Sequence, residues 1–168
     1  RDCPPPGPGD YAVPYENPRR VKGSLRTAPL VYDTGRLEVA FCADGTLDVL
    51  EKASGKRYSG LLRLEDGGDL GDGYEYRKPL ADTVWHSTRA DVAVLSDGPL
   101  AAILRIRVYI GDQQADHEVT LTKGSDRLDV RTTIRNTAAN HRLRLLFPTF
   151  CKADDYHTKT PYAMTRWP

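Results

Sequence analysis

From Leu37 onward the chain alternates apolar and polar residues with a period of two, and no window of about eleven residues keeps a helical stripe. Leu37, Val39 and Phe41 alternate with Glu38 and Ala40, and Asp44-Gly45 then turns the chain into a second short strand over 46–50. Further strands are predicted over 83–87, 90–95, 101–110, 115–122, 127–135 and 142–147. A slip of one residue would turn every apolar side chain of a strand toward solvent, so the pattern constrains pairing. With 111–114 as a loop, Leu104 faces Leu121, Ile106 faces Val119 and Val108 faces His117. With 123–126 as the next loop, Leu121 faces Leu128 and Val119 faces Val130. Together with Ile134, these apolar residues share one face. The opposite face sets Arg107, Glu118 and Arg131 in one row and Arg105, Thr120 and Asp129 in the next. A sheet with one apolar face buries it against a second sheet, so the expected fold is an all-β antiparallel sandwich.

At 168 residues the chain has the length of one domain, and its formal net charge of +1 gives no long-range field to draw nucleic acid or an anionic membrane. No apolar run approaches the roughly 18–20 residues that span a bilayer. The first nine residues, rich in proline, lack the apolar core of a signal peptide; 1–30 reads as a proline-rich lead-in or linker, and 31–168 as the β-domain. Cys3, Cys42 and Cys151 show neither a pairing pattern nor metal-ligand spacing, which points to free thiols in a reducing, cytoplasmic compartment. The chain starts at Arg1 and holds one methionine, Met164, so it is expected to be a piece of a longer protein.

The segment 64–79 carries the functional signal. Asp66, Asp69 and Asp72 recur every third residue among Gly67, Gly68, Gly71 and Gly73, and Tyr74 and Tyr76 follow at once. So many glycines predict a loop. Carboxylates that accept hydroxyl protons beside tyrosine rings that cover a pyranose face make a surface suited to sugars. The aspartates also fit turn-building and, less well, calcium: their one-four-seven spacing is not that of an EF-hand loop. Nothing marks two of them as the flanking pair a glycosidase needs.

The same segment, Leu-Glu-Asp-Gly-Gly-Asp-x-Gly-Asp-x-Tyr-x-Tyr-x-x-Pro, resembles the signature loop in the carboxy-terminal β-domain of bacterial glycoside hydrolase family 38. The stretches 37–56 and 136–149, the latter Asn-x-Ala-x-x-His-Arg-Leu-Arg-x-Leu-Phe-Pro-Thr, are similar to that family in the same order. The resemblance implies a mutarotase-like sandwich that continues past Pro168. It also implies a parent that hydrolyses α-mannosides with retention, using a zinc ion and a nucleophilic Asp. Both would belong to a catalytic barrel outside this chain, so no catalytic or metal-binding residue is expected here and the isolated chain should be inert. The domain would brace the barrel, its expected partner, and line the cleft.

In that family a tyrosine at the place of Tyr74 reaches the sugar. Tyr74, with Asp69 and Asp72, is therefore the candidate substrate-binding set, the alternative for Tyr74 being packing beneath its own loop. Tyr76, two residues on, is expected to point the other way and pack. His117 falls on the apolar face and is expected in the core; His157 lies in a polar tail. His86 raises one other possibility, since mutarotase-like sandwiches use a histidine and a carboxylate to open sugar rings. A stand-alone carbohydrate-binding module and a sugar epimerase are thus the other functional readings.

Overall fold

The computed structural model describes residues 22–167, and every strand pairing in that range is antiparallel. Most of the lead-in, including Cys3, lies outside the described residues. Five strands form the first sheet in chain order: β1 (Arg26–Ala28), β2 (Val31–Asp33), β3 (Leu37–Phe41), β4 (Leu47–Glu51) and β5 (Arg57–Leu61). The sheet thus begins ahead of residue 31. Then come β6 (Arg63–Gly68), β7 (Trp85–His86), β8 (Arg89–Asp97), β9 (Ala101–Ile110), β10 (Gln113–Thr122), β11 (Asp129–Arg135) and β12 (His141–Leu146). The second sheet runs β11-β10-β9-β8, and β12-β6-β7 makes a third at its flank. A last hairpin joins β13 (Tyr156–Lys159) to β14 (Met164–Trp167). The tail around His157 is therefore a strand, paired through backbone groups that its polar side chains did not announce.

The core lies between the first two sheets and is one contiguous cluster. Tyr32, Val39, Leu47 and Val49 enter it from one side; Leu104, Ile106, Val108, Val119 and Leu121 enter from the other. The β3–β4 hairpin closes through a type I turn with Gly45 at φ 86, the Gly45 N–H donating to the Cys42 carbonyl at 3.0 Å. Its tip rests on the second sheet, where the Ala90 N–H donates to the Ala43 carbonyl at 2.8 Å. The β-sandwich is thereby stitched at this corner by a backbone hydrogen bond as well as by packing.

The meander has the expected face and a corrected register. Leu104 pairs with Val119, Ile106 with His117 and Val108 with Ala115, because Gly111-Asp112 alone makes the turn and β10 starts at Gln113. The shift is an even number of residues, so no side chain changes face. Glu118 now sits between Arg105 and Arg131, and Arg107 forms a two-pronged ion pair with Asp116 at 2.8 and 2.9 Å. Val119 faces Val130 as expected. The shared face is not buried throughout, however: Val130 is 38% exposed and Ile134 42% exposed, because the first sheet does not extend over β11.

His117 is fully buried, as its place in the pattern predicts. Its Nδ1 lies 2.9 Å from Thr132 Oγ1, and its Nε2 has no partner among the described residues. Burial pushes its pKa below the usual histidine value, against a weaker opposing pull from Asp116. The sign follows directly. The unfolded chain takes up this proton near pH 6.5 and the folded chain only at lower pH, so stability falls as pH drops between the two values. His117→Phe should therefore flatten the acid side of the melting-temperature profile below about pH 6.5. An unchanged acid slope in that variant would show that His117 charges freely in the folded state.

Candidate functional site

The glycine-rich segment is half strand and half loop, which corrects the expectation of a loop throughout. Residues Arg63–Gly68 form β6, paired to β12 so that Gly68 lies opposite His141, Gly67 opposite Arg142 and Glu65 opposite Arg144. Glycine is required here by close packing: a Cβ on Gly68 would meet Pro79 Cγ at 2.5 Å. The true loop begins at Asp69, whose N–H donates to the Asn140 carbonyl at 2.9 Å, and it is closed by the Leu70 N–H on the Arg77 carbonyl at 2.8 Å.

Two of the three aspartates build that loop. Asp69 Oδ1 accepts the N–H groups of Gly71 and Arg77 at 2.8 and 3.1 Å. Asp72 Oδ1 accepts those of Tyr74 and Glu75 at 2.8 and 3.0 Å. These backbone donors lower both carboxyl pKa values below the ordinary aspartate range. Gly71 permits a tight return, since a Cβ there would fall 1.7 Å from the Glu75 carbonyl oxygen. Tyr74 stands at the tip, 97% exposed, and is not packed beneath its own loop. Tyr76 lies back against β12 under the Arg142 guanidinium, whose carbon is 3.6 Å from the ring centroid.

Asp66 has a different task. Its Oδ1 is 2.7 Å from His141 Nδ1, and His141 Nε2 is 2.9 Å from Asn136 Oδ1. Asn136 Oδ1 also accepts the Ala138 N–H at 3.2 Å, which fixes the amide orientation. With both ring nitrogens occupied, His141 offers none to a sugar. His86 is 3.9 Å from Glu65, which is already bonded to Arg144. Neither histidine–carboxylate pair is therefore set for ring opening. The Asp66–His141 pair was not found from sequence, because its partners are 75 residues apart and only the β6–β12 register brings them together. Beside it opens a shallow cleft of about 370 Å³, lined by Pro79, Asp82 and the exposed Trp85.

Among the described residues no three His, Cys, Asp or Glu side chains converge to hold a metal ion.

The sequence profile of the glycosyl hydrolases family 38 C-terminal domain matches residues 32–168. The chain belongs to glycoside hydrolase family 38. A protein of Halalkalibacterium halodurans, provisionally named mannosylglycerate hydrolase, is 25% identical over 166 residues, covering 79% of this chain and 18% of that protein. Two solved structures are similar at a TM-score of 0.78 and 24% identity: a glycosyl hydrolase family 38 protein from Enterococcus faecalis and an alpha-mannosidase from Enterococcus faecalis V583. Each likeness covers 88% of this chain but only 22% and 21% of the solved chains. The chain thus spans about a fifth of the length of the relatives it matches, and it is a β-domain of the enzymes' C-terminal part.

Proposed function

We propose that this family 38 domain serves an α-mannoside hydrolase, bracing the catalytic barrel and closing one side of its cleft with Tyr74. The observation that carries the reading is a nearly fully exposed tyrosine held at the tip of a loop whose backbone is fixed by Asp69 and Asp72. A side chain that contributes nothing to its own domain's core is free to meet a ligand or another domain. Its ring offers an apolar face and its hydroxyl a donor. Asp69 and Asp72 act mainly as positioning residues, each with a second carboxylate oxygen left for contact. The names of the relatives support mannosides as the substrate class. Zinc and the nucleophile belong, on this reading, to the catalytic domain, and this chain alone should not turn over aryl α-mannosides. The free thiols of Cys42 and Cys151 support a reducing, cytoplasmic setting.

The test is Tyr74→Ala in the complete enzyme. Its kcat/KM on an α-mannoside should fall roughly ten- to a hundredfold, about 1.4–2.7 kcal/mol of transition-state binding, with melting temperature unchanged. Unaltered kinetics would remove Tyr74 from the cleft. Tight mannoside binding by the 168-residue chain alone would favour a carbohydrate-binding module instead.

A further inference from the structure

His141 meets a hydrogen-bond acceptor at each of its ring nitrogens. Asp66 Oδ1 lies 2.7 Å from Nδ1, and Asn136 Oδ1 lies 2.9 Å from Nε2. An ionised carboxylate can only accept, and the Asn136 oxygen is turned toward the ring by the Ala138 N–H that it also accepts. A neutral imidazole has one N–H and would set its bare nitrogen against one of these oxygens. Only the doubly protonated ring donates to both. The side chains of His141 and Asp66 are 11% and 17% exposed, so little water reaches them to relieve a mismatch.

This clamp sits where the Tyr74 loop is rooted. β12 is an edge strand paired to β6 alone, and directly opposite His141 is Gly68, so the ring crosses diagonally to Asp66. Its other nitrogen holds the 136–140 turn. The last residue of that turn, Asn140, has φ 57, in the left-handed region that side chains other than glycine seldom enter. Its carbonyl accepts the Asp69 N–H at 2.9 Å, and Asp69 in turn holds the Gly71 and Arg77 N–H groups. One path of hydrogen bonds therefore runs from His141 through the turn to the loop that carries Tyr74.

The charges facing the ring are negative. β6 contributes Asp66, and Asp82 stands across the cleft that His141 lines, where no Lys or Arg is found among the described residues. The Asp69 carboxylate, at the root of the loop, is engaged by its own backbone. β7 contributes Trp85, which shares the face of Asp66 and carries no charge. On β12 itself, Arg142 and Arg144 belong to the opposite face with Glu65 and His86, and Arg142 lies over Tyr76 there.

We infer that His141 is a positioning residue that works as an imidazolium. Its two hydrogen bonds hold the turn that roots the Tyr74 loop, and loss of one proton releases one of them and loosens the loop. The consequence for the enzyme rests on the proposed place of Tyr74 in the cleft; the clamp itself rests on Asp66, His141 and Asn136.

Nitrogen NMR of the histidine rings in the 168-residue chain tests the clamp. Both His141 nitrogens should carry hydrogen at about pH 7, and one hydrogen should leave as pH rises. Asn136→Asp replaces a neutral acceptor with an anion and should move that loss to higher pH. A singly protonated His141 ring at about pH 7, or a transition that Asn136→Asp leaves in place, would overturn the clamp. In the complete enzyme, kcat/KM on an α-mannoside should fall on the alkaline side as His141 loses its proton, and Asn136→Asp should carry that limb upward. His141→Gln should lower kcat/KM severalfold and abolish the limb. A limb that persists in His141→Gln, or stays fixed in Asn136→Asp, would overturn the positioning role, and the second variant decides if the first misfolds. Failure of the cleft assignment is separate: Tyr74→Ala would then be kinetically silent while the ring nitrogens still show the imidazolium.

Discussion

Ile106→Ala is expected to destabilise the domain by about 2–5 kcal/mol, the transfer loss of the removed atoms plus the cavity they leave. Ile106 is fully buried in the middle of β9, paired to His117 on one side and Val92 on the other, with the first sheet above it. No neighbouring backbone at the centre of a four-stranded sheet can move in to fill the space, which places the cost toward the upper end of that range. Ile134→Ala is the matched control. It removes the same atoms from the same face of the same sheet, but Ile134 is already 42% exposed at the edge strand. Its loss should cost under about 1.5 kcal/mol, since little apolar surface returns to water. Urea denaturation of the two variants reads the difference directly. Equal costs would mean that β11 is covered as fully as β9 in solution.

That contrast marks how far the sequence reaches. The alternation in β9 and β10 identifies the inward residues correctly, and the β3–β4 hairpin is legible from Asp44-Gly45, because both signals are local. The register of β9 on β10 is not local, since a four-residue and a two-residue turn leave the same side chains inward and differ only in their partners. Nor can a period of two say whether anything lies over the apolar face, which is why Val130 and Ile134 are more exposed than their pattern suggests. The strands β1, β2, β5, β13 and β14 went unseen because their pairing rests on backbone hydrogen bonds between polar or short segments. At the candidate site, the aspartate–glycine spacing marked one segment, of which 63–68 is strand and the loop begins at Asp69. That Asp69 and Asp72 hold backbone is local turn chemistry, whereas the contact of Asp66 with His141 depends on strand pairing across more than seventy residues.

Gly45→Ala should be the most damaging single-methyl addition in the first sheet. Two costs meet at this position. The backbone sits at φ +86, where an L side chain is strained by about 1–2 kcal/mol. The new Cβ would also lie 2.7 Å from Val108 Cγ2 and 3.0 Å from Ala90 Cβ, inside the packed seam between the two sheets. Overfilling a core in this way adds typically about 1–3 kcal/mol. The sum, about 2–5 kcal/mol, takes the two costs as roughly additive, which holds only if the hairpin tip cannot lift. Lifting has its own cost, because it breaks the Ala90–Ala43 hydrogen bond that ties the tip to β8. Gly55→Ala separates the contributions. Gly55 has φ +72 and, among the described residues, nothing within 4 Å of its would-be Cβ, so that variant meets the backbone cost alone and should lose only about 1–2 kcal/mol. Thermal and urea unfolding of both variants then isolate the packing cost as a difference. If Gly45→Ala is no worse than Gly55→Ala, the hairpin tip does not press on Val108 and Ala90, and the two sheets meet less closely at this corner than the described contacts require.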